Sequence, residues 1–155
     1  MIGWRHAYDA GMKYLMPILT SVLLAVSGGF AKGPEAVNDL DAALAKAKAE
    51  HKMLFVQYGR EACGNCQALK KMISEKDVKL AESKFVYADV NCDDDATRKS
   101  FRAKFKVEGK TLPFVVIADA GGTQLAARSG YGSAEQFDDL IKAAQKEAKK
   151  RASPE

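Results

Sequence analysis

The feature that most restricts this chain is a cysteine pair two residues apart, Cys63-Gly64-Asn65-Cys66, between a short apolar run and a helical pattern. Met53 to Tyr58 (MLFVQY) is apolar, and Gly59 follows it as a turn signal. An apolar run that short, closed by glycine, predicts a strand buried on both faces. From Cys63 to about Ser74, Ala68, Leu69, Met72 and Ile73 recur at helical spacing. The pair therefore stands at a strand-to-helix junction, where Cys-x-x-Cys is a redox signal. Cys63 falls at or just before the first helical turn, where unpaired amide groups and the helix dipole stabilise negative charge. That favours its thiolate, and the thiolate is the attacking species. Cys66 lies almost one turn on, near enough to form a disulfide with Cys63. It is expected to be more buried and to resolve a mixed disulfide. Gly64 leaves room for a substrate backbone to approach.

Other chemistries fit the motif less well. A haem attachment needs histidine after the second cysteine, and that position is Gln67. The chain has three cysteines, too few for a disulfide-stapled scaffold or a four-cysteine zinc site. Zinc would need Cys63, Cys66, Cys92 and His51 to converge, and His51 sits at a helix end with no paired spacing. No metal is expected. A purely structural Cys63–Cys66 bridge is a further alternative. Cys92 is the odd thiol. It is a small half-buried residue or, alternatively, a third redox thiol or an intermolecular bridge.

The first thirty-one residues read as an address. Tyr14 to Val26 (YLMPILTSVLLAV) is apolar but too short to cross a bilayer of about 30 Å as a helix. Arg5, His6 and Lys13 precede it, and Gly29-Phe30-Ala31 follows as a small-x-small signal. This is the pattern of a secretory signal peptide, with cleavage expected after Ala31 and a possible true start at Met12. Retention as a membrane anchor is the alternative, and the only route by which a membrane would be involved. Residues 32–155 then form one domain, placed in the periplasm or outside the cell.

Along that domain, Asn38 or Asp39 caps a helix over Leu40 to Glu50, with Leu40, Ala43, Leu44 and Ala47 on one stripe. Asp77 to Ser83 reads as a short helical or irregular return. Phe85 to Val90 is the next strand. Asp93 to Asp95 precede a helix from about Ala96 to Phe105, and serve as cap and dipole partners rather than cation ligands. Pro113 opens a strand, Phe114 to Ala118. After a turn over Asp119 to Gly122, Thr123 to Arg128 returns as its antiparallel partner. Ser133 caps a last helix from Ala134 to about Arg151, whose terminal lysines form a solvated face. Strands alternating with helices predict a βαβ unit followed by a hairpin. The expected architecture is α/β, a mixed four-stranded sheet, five-stranded at most, with helices on both faces. The net charge is +4, with no dense basic block and no interleaved aromatics, so no nucleic-acid partner is expected.

The stretches LFVQYGREACGNCQALKKM (Leu54 to Met72) and TLPF (Thr111 to Phe114) resemble the thioredoxin superfamily, over roughly residues 38–145. The nearest likeness is to its secreted members. The resemblance implies a thioredoxin-like fold in which Pro113 is cis, faces the disulfide and keeps metal off the thiols. X–Pro bonds tolerate the cis form at little cost. It also implies that Leu112 offers backbone hydrogen bonds to an extended peptide, and that Gly130 lies near the substrate groove. With Gly64 and Asn65 these are the expected substrate-binding residues, and Cys63 and Cys66 the catalytic ones. Ala62 stands where thioredoxin itself has tryptophan, and Gly64-Asn65 where it has Gly-Pro. Gln57 stands where the family has a buried acid, so proton removal from Cys66 would fall to water or Glu61.

The resulting expectation is an exported thiol–disulfide oxidoreductase, a reductase or isomerase rather than an oxidase. It would act as a monomer on protein or peptide disulfides, with no cofactor beyond its own Cys63–Cys66 pair. No G-x-G-x-x-G or G-x-x-x-x-G-K appears, so electrons would come from another protein or a small thiol. The alternative is a non-enzymatic binding module that holds a peptide or a metal beside Pro113, with the cysteines merely bridged.

Overall fold

In the computed structural model the described residues are 33–153, and the expected leader, ending at Ala31, lies outside them. The elements are β1 (Ala36–Val37), α1 (Leu40–Ala49), β2 (Met53–Gly59), α2 (Gly64–Ser74), β3 (Phe85–Asn91), α3 (Asp95–Lys104), β4 (Phe114–Ala118), β5 (Gln124–Ser129) and α4 (Ala134–Ala152). The sheet has five strands in the order β1-β3-β2-β4-β5. The fifth strand that the sequence reading allowed for is present. The added strand is β1, which pairs parallel to β3 with Ala36 opposite Tyr87. Two residues carry no period-2 alternation, so no pattern announces such a strand. The other connections follow expectation. β2 and β3 are parallel through α2, β4 runs antiparallel to β2, and β4–β5 is a hairpin. Asp77 to Ser83 is irregular.

Polar residues set three of the four helix starts. Asp39, Asp94 and Ser133 cap α1, α3 and α4 by accepting backbone N–H groups from Ala42, Thr97 and Gln136. Such caps contribute about 0.5–2 kcal/mol each. Asp94 and Asp95 thus serve the α3 terminus, as the sequence suggested. Side chains on the two faces of the sheet fill separate cores. On one face Leu54, Val56, Val86, Ala88 and Val90 pack against Leu40, Ala43 and Ala47 of α1 and Phe101 of α3. On the other, Phe55, Tyr87, Val115 and Ile117 pack against Leu69 and Ile73 of α2 and Phe137 and Ile141 of α4. Helices therefore cover both faces. The parallel order of β2 and β3 also puts their C-terminal ends, Gly59 and Asn91, side by side at the N-terminus of α2.

Candidate active site

Cys63 is the N-cap residue of α2, with extended backbone (φ −93°, ψ 107°). Its Sγ accepts the Cys66 N–H at 3.2 Å, and its carbonyl oxygen accepts from Gln67 N–H at 3.1 Å. A sulfur thus occupies the place where Ser or Asp satisfies the orphan amides of a helix start. No acidic residue lies in the first turn of α2. Cys63 and Cys66 are joined by a disulfide, with Cα atoms 5.2 Å apart. Cys63 is half-buried, whereas Cys66 is only 2% exposed. The expected asymmetry between an accessible and a buried sulfur is present. Gly64 and Asn65 are exposed between them, and a β-carbon on Gly64 would meet nothing within 4 Å.

The opposite wall comes from the start of β4. The Leu112–Pro113 peptide is cis, and Pro113 is buried. Phe114 pairs with Tyr58, the residue before Gly59. Register therefore brings Pro113 alongside the end of β2. The Thr111–Pro113 segment is latched to the end of β5. Gly130 N–H donates to the carbonyls of Thr111 (3.1 Å) and Pro113 (2.9 Å), and the Ser129 hydroxyl donates to Thr111 O at 3.0 Å. Gly130 adopts φ +87°, a conformation suited to glycine. It braces this segment. Among the described residues, neither the N–H nor the C=O of Leu112 has a backbone partner, while its side chain packs on the core.

Gly59, Gln57 and Cys92 complete the surroundings of the pair. Gly59 was read as a turn signal, but a β-carbon there would lie 2.7 Å from Cys66 Sγ. It is glycine because the sulfur rests against it. Gln57, fully buried, donates from Nε2 to Cys66 O at 3.0 Å and accepts the Tyr87 hydroxyl at Oε1, 3.2 Å. It therefore positions the Cys66 backbone and has no acidic proton to exchange. Cys92 is free and buried (7% exposed), not half-buried. It continues the inward set Val86, Ala88, Val90 past the strand, and its N–H donates to Gly59 O. The Arg60 guanidinium lies 3.9 Å from its sulfur and 3.2 Å from Asp93.

Burial, with the Asp89 charge adding to it, pushes the Tyr87 phenol well above its ordinary range. The folded state thus keeps a proton that the unfolded chain releases near pH 10. Stability from this group is complete below about pH 10 and declines as pH rises past it, until the folded phenol ionises too. Tyr87→Phe is expected to flatten that alkaline decline in urea unfolding between about pH 9 and 11. An unchanged slope would assign the decline to other groups.

The pattern of the family described as a thioredoxin-like domain matches residues 40–145. A mutant thioredoxin from Halobacterium salinarum superposes with a TM-score of 0.53 at 21% identity, covering 75% of this chain and 96% of its own. Trxlp from Edwardsiella tarda gives 0.53 at 18% identity, covering 69% and 98%. Thioredoxin f from spinach chloroplast gives 0.51 at 19%, covering 75% and 87%. At these identities the structures speak to fold. No curated protein matches the sequence.

Proposed function

The chain belongs to the thioredoxin-like domain family, and from that premise we propose that it is an exported thiol–disulfide oxidoreductase acting on protein or peptide disulfides. The observation that carries this reading is the position of Cys63. It is a half-exposed sulfur at a helix N-cap, accepting an N–H bond, and bridged to a buried partner one turn on. In the reduced protein, the Cys63 thiolate attacks a substrate disulfide and a mixed disulfide forms. Cys66 then attacks Cys63 Sγ and expels the substrate thiol. The helix terminus stabilises Cys63 as the attacking thiolate and as the better leaving group in the reverse direction.

The extended substrate would lie between Gly64-Asn65 and the Thr111–Pro113 segment, where the free N–H and C=O of Leu112 can pair with its backbone. The direction we favour is reduction or isomerisation. A strong oxidant stabilises its reduced form heavily, and among the described residues the α2 terminus is the device that stands at Cys63. Export rests on the leader pattern ahead of Lys32. Electrons would be resupplied by a protein or small-thiol donor, and the monomer is the expected working form.

The test is turnover of a disulfide-linked protein substrate with a small thiol as donor. Wild type is expected to accelerate reduction, and Cys63→Ser to fall to the rate without protein. Equal rates in the two would remove Cys63 from the chemistry and favour a non-enzymatic binding module.

A further inference from the structure

Release of substrate requires Cys66 to lose its proton, yet this sulfur is 2% exposed and the amide of Gln57 occupies the ground beneath it. Gln57 is committed at both ends, to Cys66 O and to the Tyr87 hydroxyl. Tyr87 itself, buried and held neutral, cannot act as a base at ordinary pH. A carboxylate stands on the neighbouring strand instead. Asp89 is the register partner of Gln57 in the parallel β2–β3 pair. Adjacent partners in a sheet share a face, so Asp89 lies on the α2 side, as Gln57 does. Lys70 of α2 fixes its carboxylate through an ion pair of 2.5 Å, and the Asp89 side chain is 13% exposed. Asp89 and Lys70 also line a cavity of about 390 Å³, together with Gly59, Glu61 and Gln67. Gly59 is the residue against which Cys66 Sγ rests. One wall of the cavity is thus in contact with the sulfur and another carries the carboxylate. A volume of that size holds several waters at about 30 Å³ each.

We propose that Asp89, held by Lys70, accepts the Cys66 proton through water in this cavity. The inference rests on the exchange reaction proposed above and names the group that Gln57 leaves wanting. In the step, the Cys66 S–H bond breaks and its proton passes to the Asp89 carboxylate. The Cys66 sulfur bonds to Cys63 Sγ, and the Cys63–substrate S–S bond breaks with its electron pair on the substrate sulfur. Over the attack and resolution steps together, the cysteine pair is oxidised by two electrons and the substrate disulfide is reduced by two. Asp89 returns the proton to solvent through its exposed edge, and water protonates the departing thiolate. The charged and titratable groups facing Asp89 are Lys70 on α2, Tyr87 on its own strand, and Arg60 and Glu61 from the β2–α2 loop. Glu61 is the competing acceptor.

The experiment is stopped-flow reaction of the reduced protein with a small aromatic disulfide whose released thiolate is coloured. A first phase reports attack by Cys63, a second reports resolution by Cys66. At about pH 6, Asp89→Asn is expected to slow the second phase at least about tenfold, the scale of general-base assistance, and to leave the first within twofold. The gap should narrow as pH rises and hydroxide takes over removal of the proton. Asp89→Glu should recover part of the rate, and Glu61→Gln should cost less than Asp89→Asn. An Asp89→Asn second phase equal to wild type at about pH 6 would overturn the inference. So would a larger loss in Glu61→Gln. A wild type showing no second phase would instead count against the exchange function itself, so the two failures are separable.

Discussion

Cys66→Ser is expected to turn an exchanging protein into a covalent trap. The Cys63 sulfur keeps its cap position and its access, so attack on a substrate disulfide proceeds. A serine hydroxyl at a site only 2% exposed ionises far too weakly to attack Cys63 Sγ, so the mixed disulfide persists. Incubated with a disulfide-linked protein, the variant should accumulate adduct approaching one per chain, dissolved by excess small thiol. Turnover should drop to the rate at which the small-thiol donor releases the adduct. Wild type should show no lasting adduct, because Cys66 sits one turn away with its Cα 5.2 Å from that of Cys63. Non-reducing electrophoresis reads the outcome. Absence of adduct in Cys66→Ser, with Cys63 intact, would mean that Cys63 does not attack.

Phe101→Ala is expected to remove about 3–5 kcal/mol of stability, the usual cost of deleting a buried ring. Phe101 is fully buried on α3. Its ring stacks on Tyr58 at 4.2 Å and meets Phe105 and Phe114 edge-on at 5.1 and 6.2 Å. It therefore ties α3 to the end of β2 and to the start of β4, the two strand ends that carry Gly59 and Pro113. For a domain of this size the loss corresponds to a melting point lower by roughly 10–20 °C. A thermal melt followed by far-ultraviolet circular dichroism decides it, and a change of under about 1 kcal/mol would show that the ring cluster collapses to fill the gap. Because Tyr58 and Phe114 are register partners, the substrate-facing wall should loosen along with the core.

Elements with a local cause were legible in the sequence. Asp39, Asp94 and Ser133 announce helix starts by their own side-chain chemistry, and Cys63 announces both a helix start and its reactivity. The runs MLFVQY and FVYADV announce β2 and β3 because both of their faces are buried. What was hidden depends on strand register, which no local pattern carries. The Gln57–Tyr87 bond and the Lys70–Asp89 pair exist because β2 and β3 are parallel with Gln57 opposite Asp89. The tight fit of Gly59 against Cys66 exists only with α2 in place on the sheet. The burial of Cys92 had a readable signal after all, since alternation from Val86 continues to position 92. Exposed neighbours such as Asn91 and Asp93 masked it.

The sheet is one residue thick, and its third thiol packs with the layer that faces away from the reactive helix. Cys92 packs with α1 and α3, while Cys66 lies on the α2 side beyond the backbone of Gly59. The β2 main chain is thus a bulkhead between two sulfur compartments. Under the exchange reaction proposed above, the buried thiol of Cys92 therefore stands on the opposite side of the β2 backbone from the Cys63–Cys66 pair.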